Sequence, residues 1–244
     1  MSKRSAIVTA LALALVPLAG SNASAAESSS ALSATFDAAM SSHFSTKNSQ
    51  ALAAAKLLVA KGRAPKTGYS RSEFGTAWTD VDGNGCSARN DVLARDFRNV
   101  TTTDGCKVAS GDFTDPYSGE SFHVTCRVGS GCVSSFDVDH AVPLSDAWQK
   151  GAQYWSKSKR EAIANDPLNL VVTTAHLNRQ KGDSDAASWL PPLRSYWCKY
   201  VARQVAVKTK YGVWVTAAEK SKMIEILSKP ACANTKLPTA QSRP

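Results

Sequence analysis

Two stretches decide the fold of this chain: Phe136-Asp-Val-Asp-His-Ala-Val-Pro-Leu144 and Asn169-Leu-Val-Val-Thr-Thr-Ala-His-Leu-Asn178, which continues as Arg-Gln-Lys-Gly-Asp183. The first begins as an apolar, strand-like run and ends on an Asp-His pair. The second begins with a short apolar run that turns directly into a helical pattern. Because strand residues alternate between faces, Asp139 and His140 are expected to point in different directions.

These side chains suit chemistry on a phosphodiester. His140 is the predicted general base, because imidazole titrates near neutral pH. Asp139 offers hard carboxylate oxygen to a divalent cation, and Asn169 and Asn178 add two amides. A single histidine at a strand end is more often structural, but the downstream pattern favours catalysis. His176 lies two residues before Asn178, on roughly the opposite side of a helix, and is interpreted as structural or exposed.

The arrangement resembles the ββα-metal, or His-Me finger, fold of HNH endonucleases. In many of these proteins the second half reads Asn-Leu-x-x-Leu-Cys-x-x-Cys-His, and Asn169-Leu170 matches its start. Asn178 falls at the final His position, whereas Thr174 and Leu177 occupy the two Cys positions. The zinc knuckle of some HNH proteins is therefore absent.

The chain is most similar to a subgroup that includes the C-terminal domain of GmrSD-type restriction nucleases and secreted actinobacterial nucleases. The resemblance covers roughly residues 60–195. Its motifs are Gly62-Arg-Ala-Pro-Lys-Thr-Gly-Tyr-Ser-Arg71, Asp115-Pro-Tyr-Ser-Gly119, Asp137-Val-Asp-His-Ala-Val-Pro-Leu144, Ala164-Asn-Asp166 and Lys181-Gly-Asp183 followed by Trp189-Leu-Pro-Pro192.

The resemblance implies an α+β fold, with a disulfide-braced ββα-metal core and additional surrounding helices. It implies His140 as the base, Asp139 and Asn178 as metal ligands, and Asn169 as the brace of the loop that carries His140. One carboxylate and one amide favour Mg²⁺ or Mn²⁺ as the single divalent cation.

The charge agrees with a polyanionic substrate. The formal net charge of +9 falls by two, to +7, when Lys3 and Arg4 are removed. Basic side chains are candidate contacts to substrate phosphates, although a solvated basic face would have the same composition. These candidates are Arg179, Lys181, Arg63 and Lys66.

The N-terminus has the pattern of a secretory signal peptide, predicted to cover residues 1–25. Lys3 and Arg4 precede an apolar run over residues 5–19, and Ala23-Ser-Ala25 is a small-x-small cleavage site. No other apolar stretch is long enough to span a bilayer. We therefore expect a secreted, extracellular monomer without a membrane anchor.

The six cysteines favour disulfides, as is usual in an exported chain. None of the spacings is C-x-x-C, which argues against a zinc ribbon or a thioredoxin-like motif. Sequence alone allows 15 pairings for six cysteines. Order in the chain suggests Cys86–Cys106, Cys126–Cys132 and Cys198–Cys232.

A separate acidic loop, Asp80-Val-Asp-Gly-Asn-Gly85 followed by Asp91, matches the spacing of an EF-hand loop. Aspartate stands where glutamate usually closes that loop, and Asp/Gly-rich turns are common. A structural Ca²⁺ site and a plain turn both remain open. The candidate ligands are Asp80, Asp82, Asn84 and Asp91.

Composition and periodicity divide the rest of the chain. Residues 26–60 are predicted as a flexible lead-in with a short helix, residues 61–232 as the nuclease-like domain, and residues 233–244 as a flexible tail. The predicted helices cover residues 48–61, 72–78, 89–99, 144–150, 156–165, 193–210 and 217–228. The predicted strands cover residues 107–113, 121–127, 133–138 and 170–172.

Together these observations predict an exported, metal-dependent endonuclease that acts on DNA, or also on RNA, with little sequence preference. The low preference follows from the lack of a visible helix-turn-helix, zinc finger or separate reading domain. One alternative is a phosphodiesterase for small or RNA substrates. Another is a non-catalytic surface module that binds nucleic acid or calcium.

Overall fold

The computed structural model describes residues 49–125 and 136–244. The predicted signal peptide, the lead-in up to residue 48 and the predicted Cys126–Cys132 disulfide lie outside these ranges. Within them, the chain forms helices and two small antiparallel sheets, which confirms the predicted α+β class. Among the described residues, no helix has the length and apolar character needed to cross a membrane.

The strands form two separate sheets. The first has the order β1-β2-β3 and the second pairs β4 with β5. The strands are β1 (Arg98–Thr102), β2 (Val108–Thr114), β3 (Ser121–Thr125), β4 (Phe136–His140) and β5 (Leu170–Thr174).

Several helices begin at a serine or threonine. The side-chain oxygens of Ser49, Ser87, Ser156 and Thr216 accept backbone N–H groups of the first helical turn, which satisfies donors that have no partner within the helix. The helices are α1 (Gln50–Leu57), α2 (Ala88–Asp96), α3 (Leu144–Gln149), α4 (Lys157–Asn165), α5 (Ala175–Lys181), α6 (Trp197–Tyr211) and α7 (Ala217–Leu227).

The sequence predicts helix through residue 99, and this is wrong for its last residues. Phe97 leaves helical geometry, with φ −81° and ψ 160°. Its ring packs against Phe113 of β2 with the ring centroids 4.9 Å apart. Burial of this ring redirects the chain into β1, whose mostly exposed side chains carry no alternating pattern that would predict a strand.

β4 and β5 form a two-stranded ribbon in which His140 lies opposite Leu170. One face packs on an apolar cluster that includes side chains of α2 and β2. The other face packs, through Val171, on a cluster that contains Leu177 of α5 and Val201 of α6. Because α5 begins immediately after β5, it lies against this second face. The ribbon residues on the first face are Phe136, Val138, Leu170 and Val172.

Two predicted disulfides are present in the described ranges, Cys86–Cys106 and Cys198–Cys232. The first joins the loop before α2 to the β1–β2 connection. The second joins α6 to the short 3₁₀-helix after α7. The first disulfide therefore lies before the ribbon in the sequence, and the second lies after it.

The C-terminal segment, predicted as a flexible tail, makes contacts with three helices. The backbone N–H of Ala51 in α1 donates to Thr235, at 3.3 Å. Arg95 of α2 donates to the carbonyl of Ala240 at 2.9 Å, and Arg203 of α6 donates to that of Ser242 at 2.7 Å. These arginines hold the segment along the surface of the domain.

Beneath the loop after α1 lies a cluster of paired charges that we call the buried charge network. The Lys150 ammonium lies 2.7 Å from Asp146, 2.8 Å from Asp185 and 2.6 Å from Glu219. Three cations face three carboxylates, so the network is balanced in charge. Its members are Arg63, Asp146, Lys150, Asp185, Lys208 and Glu219.

Candidate active site

Asp139 and His140 are the last two residues of β4, and their side chains lie on opposite faces of the ribbon. Asp139 contacts Tyr117 and Lys181 on the face that packs against α5. His140 lies on the face of Val138 and contacts the end of α4. The chain therefore delivers its carboxylate and its imidazole to different surroundings.

The Asp139 carboxylate is enclosed by two donors. The Tyr117 hydroxyl donates to Oδ2 at 2.7 Å and the Lys181 ammonium donates to Oδ1 at 2.9 Å. Burial raises the pKa of the Asp139 carboxyl, while Lys181 and Tyr117 oppose that shift. Asp139 is 4% exposed, so its oxygens face protein atoms rather than solvent.

Lys181, predicted to contact substrate, instead lies inside the protein at 1% exposure. Besides Asp139, its ammonium donates to the backbone carbonyl of His140 at 2.8 Å. One buried cation thus holds the side chain of Asp139 and the main chain of the next residue. Lys181 therefore fixes the main chain at the end of β4, at the residue that carries the imidazole.

The imidazole of His140 is buried between a carbonyl and an indole. Its Nε2 is 2.8 Å from the carbonyl oxygen of Ala164. Because a carbonyl only accepts, Nε2 carries the proton and Nδ1 keeps a lone pair. Burial, followed by the positive charge of Arg71, lowers the pKa of His140 to about 3, and Lys181 acts in the same direction. The ring is therefore neutral at physiological pH, and Nδ1 carries no proton.

Asn169 joins the loop after His140 to the ribbon. Its Oδ1 accepts from the N–H of Val142 at 2.8 Å, and its Nδ2 donates to the carbonyls of Val142 and Ile163, each at 3.2 Å. The backbone carbonyl of Asn169 also accepts from Ala141 at 2.8 Å. The fully buried Asn169 thus holds both residues that follow His140, Val142 through its side-chain amide and Ala141 through its backbone carbonyl.

Asn178 lies on α5 and contacts a carboxylate that the sequence reasoning did not select. Its Nδ2 donates to Oδ2 of Asp137 at 2.9 Å. Asp137 precedes Asp139 by two residues, so the alternation of β4 places both carboxylates on the face toward α5. The two-residue spacing between Asp137 and Asp139 is the sequence signal that could have identified Asp137. No hydrogen bond joins Asn178 to Asp139 or His140 among the described residues.

The Asp115-Pro-Tyr-Ser-Gly119 turn supplies the tyrosine beneath Asp139. Asp115 is fully buried and accepts from the Thr173 hydroxyl at 3.0 Å and from the N–H of Thr174 at 2.8 Å. It also accepts from the N–H of Tyr117 at 2.8 Å. The turn is thereby tied to β5, which places the Tyr117 hydroxyl under the ribbon.

The model of the C-terminal domain of GmrSD restriction endonucleases matches residues 87–226, which is more than half of the 244 residues. The chain belongs to this family. A relative from Arthroderma benhamiae, described as an uncharacterized secreted protein, is 39% identical over 173 residues, which cover 70% of this chain and 80% of the relative. No solved structure matches the chain. The GmrSD match includes the Asp-His pair and both asparagines, whereas Arg63, Arg71 and Trp78 precede it.

The cations predicted to contact phosphates are mostly paired within the protein. Arg63 lies 2.8 Å from Asp146 and 2.7 Å from Asp185, and the exposed Lys66 lies 2.8 Å from Asp183. Arg179 is exposed on α5 and has no ion-pair partner in the described ranges.

Arg71, which the sequence places in a basic loop able to contact phosphates, is exposed and lines a small cleft next to His140. Its positive charge acts on the imidazole. The sequence signal for Arg71 was its place at the end of the Gly62–Arg71 motif.

The acidic loop before α2 closes through its own hydrogen bonds. Asp80 accepts from the N–H groups of Gly83 at 2.8 Å and Gly85 at 2.9 Å, and Asn84 donates to Asp91 at 3.1 Å. In the described residues, no group of three or more His, Cys, Asp or Glu side chains is arranged to hold a metal ion. The calcium site therefore stays a prediction.

That prediction expects a higher melting temperature in CaCl₂ than in EGTA, because an ion that binds only the folded state stabilises it. Asp91→Asn should abolish the difference. Asp104→Asn is the matched control, since Asp104 also accepts backbone N–H groups in a nearby turn, from Lys107 at 2.7 Å. Equal melting temperatures for the parent in the two buffers would reject calcium binding.

Proposed function

We propose that this chain is an exported endonuclease that hydrolyses phosphodiester bonds of DNA, and also of RNA, with little sequence preference and with the help of one divalent cation. Membership of the GmrSD C-terminal family supports a nuclease-type function. The observation that carries the proposal is the neutral imidazole of His140, held at the end of β4 by a loop that Asn169 braces.

Export is supported by three independent features. The N-terminal sequence has the pattern of a signal peptide. Disulfides are present in the described part of the chain, and they persist in oxidising compartments. The Arthroderma benhamiae relative carries the description of a secreted protein.

The oxygen donors on the α5 face differ in their fitness to hold a cation. The Asp139 oxygens are occupied by Tyr117 and by the Lys181 ammonium, so a cation there would displace a buried positive charge. Asp137 is only half-buried, and its neighbour Asn178 donates through nitrogen, which leaves the amide oxygen as an acceptor. The geometry thus favours Asp137 with Asn178 over the pair expected from the sequence, Asp139 with Asn178.

In this proposal His140 Nδ1 takes the proton from the attacking water, since Nε2 is engaged with Ala164. Asn169 keeps the loop and the imidazole in place, and Arg71 and Arg179 contact substrate phosphates. The negative charge of a bound phosphodiester raises the pKa of His140 above its value in the free protein, which strengthens the base. A Mg²⁺ or Mn²⁺ ion bound by Asn178 and a β4 carboxylate would stabilise charge on the phosphate and the leaving 3′ oxygen.

Supercoiled plasmid and a structured RNA, each incubated with the purified protein and Mg²⁺, Mn²⁺ or EDTA, test the proposal in one gel. We expect nicked and linear plasmid and shortened RNA with either metal, and intact substrates with EDTA. Survival of plasmid and RNA under all conditions rejects nuclease activity. Cleavage that is unaffected by EDTA rejects the metal requirement.

Substitution of the candidate ligands should shift the metal requirement. We expect Asp137→Asn and Asn178→Ala to raise the Mn²⁺ concentration for half-maximal cleavage by about 10-fold or more, because each removes or weakens an oxygen ligand. Calorimetric titration of Mn²⁺ into the same variants should show the same loss without substrate. Asp112→Asn is the control, because Asp112 lies on β2 and its carboxylate pairs with His123 at 2.7 Å. A shift in Asp139→Asn with none in Asp137→Asn would return the assignment to Asp139.

A further inference from the structure

Trp78 has a backbone conformation that its side chain disfavours. Its φ is +63°, in the left-handed region, where a bulky residue is a genuine outlier. Such a conformation costs free energy and persists only where surrounding contacts over-determine it. Among the described residues, the other non-glycine position with positive φ is Asn99, an amino acid that tolerates this region better.

The contacts that hold this conformation come from α4. Asn165 Oδ1 accepts from the N–H of Thr79 at 3.1 Å, and its Nδ2 donates to the carbonyl of Thr76 at 3.0 Å. Glu161 Oε1 accepts from the N–H of Thr76 at 3.2 Å. The segment is thus anchored on both sides of Trp78, and Asn165 is fully buried.

The strained segment places the indole next to the imidazole, with the two ring planes nearly parallel. The rings of Trp78 and His140 are nearly parallel, with an interplanar angle of 14° and centroids 6.4 Å apart. The carbonyl that accepts from His140 Nε2 belongs to Ala164, the residue directly before Asn165. The last turn of α4 therefore contacts the imidazole at its edge, through Ala164, and holds the segment that places Trp78 beside it.

We propose that Trp78 is a positioning residue for His140. Its indole keeps the imidazole in the orientation in which Nε2 faces Ala164 and Nδ1 stays available to water. This inference rests on the proposed function, because it assigns Trp78 a role in that reaction. Trp78 precedes residues 87–226, so the family match does not include it.

Four variants separate positioning from a structural role. Trp78→Phe keeps an aromatic face, Trp78→Leu keeps apolar bulk without a ring, and Trp78→Gly removes the ring and also relieves the positive φ. Trp214→Leu is the control, since Trp214 stacks at 27° on Tyr154 rather than on His140.

We expect Trp78→Leu and Trp78→Gly to lose kcat for plasmid cleavage by about 10- to 100-fold with KM changed less than about threefold, because small misplacements of a reacting group cost this much. Trp78→Phe and the Trp214 control should stay within about threefold of the parent in kcat. A leucine variant as active as the phenylalanine variant overturns the proposal. The proposal is also overturned if kcat across the variants correlates with their melting temperatures rather than with the presence of an aromatic ring at position 78.

A second readout does not depend on activity. In the NMR spectrum of the metal-free parent, the carbon-bound imidazole protons of His140, assigned by their loss in His140→Ala, should be shifted from their usual positions by the indole ring current. The shift should disappear in Trp78→Leu and persist in reduced form in Trp78→Phe. Unchanged His140 resonances in Trp78→Leu reject the stacking. If the parent protein shows the ring-current shift but cleaves neither plasmid nor RNA, the proposed function has failed and the positioning role falls with it.

Discussion

His140→Ala should lower kcat for plasmid cleavage by at least about 100-fold, the usual contribution of a general base. The imidazole is neutral, its Nε2 is held by Ala164 at 2.8 Å, and Nδ1 is the nitrogen left to accept a proton. Alanine removes that acceptor and leaves Asn169 and Asn178 in place. Initial rates at saturating Mg²⁺ and plasmid measure the loss.

His176→Ala is the matched control, because His176 is exposed on α5 and lies two residues from Asn178. It should cleave at the parental rate. Free imidazole added to His140→Ala should restore part of the activity, since the deleted side chain leaves a space of its own shape next to Trp78. Parental kcat in His140→Ala, with a folded protein by circular dichroism, would remove His140 as the base.

Lys150→Met should lower the free energy of unfolding by about 3–5 kcal/mol, the cost of leaving buried charge uncompensated. The ammonium is fully buried and contacts Asp146, Asp185 and Glu219 within 2.8 Å. Methionine fills a similar volume but leaves three carboxylates with only two cations. Urea denaturation at neutral pH, followed by tryptophan fluorescence, measures the change.

Lys66→Met provides the control for this change, because Lys66 also lies 2.8 Å from an aspartate, Asp183, but both partners are exposed. Its unfolding midpoint should match that of the parent, since water already solvates both charges. Lys150→Met combined with Glu219→Gln restores the charge balance and should be more stable than the single variant. Equal urea unfolding midpoints for Lys150→Met and the parent would show that Lys150 does not contribute to the free energy of unfolding.

The motif residues could be located from the sequence because the motifs are defined by residue types at short spacings along the chain. The Asp-His pair lies at the end of β4, and Asn169 directly precedes β5 and braces the loop after His140, in the order that the resemblance predicts. The α+β class was implied by the family resemblance, and the change between strand-like and helical periodicity agreed with it. β1 escaped prediction because its exposed side chains do not alternate.

The partners of charged residues escaped prediction for a different reason. Lys181 and Arg63 carry the positive charge expected of phosphate contacts. In the folded chain, each is paired with a carboxylate from a distant part of the sequence. Trp78 had no sequence signal at all, since its role depends on a backbone angle and on Asn165. Asp137 had a signal in the alternation of β4, but its contact with Asn178 required the position of α5.

The sequence by itself determined the family, and it predicted the export signal and the candidate side chains for chemistry on a phosphodiester, because these depend on residue type and short spacings. Only the tertiary structure decided which of those side chains remain available. Lys150 meets Asp185 and Glu219 across 35 and 69 residues, and Lys181 meets Asp139 across 42. Pairing over such separations is set by the packing of α3, α5 and α7 in the folded chain, and a charge that is paired inside the protein cannot also hold a substrate.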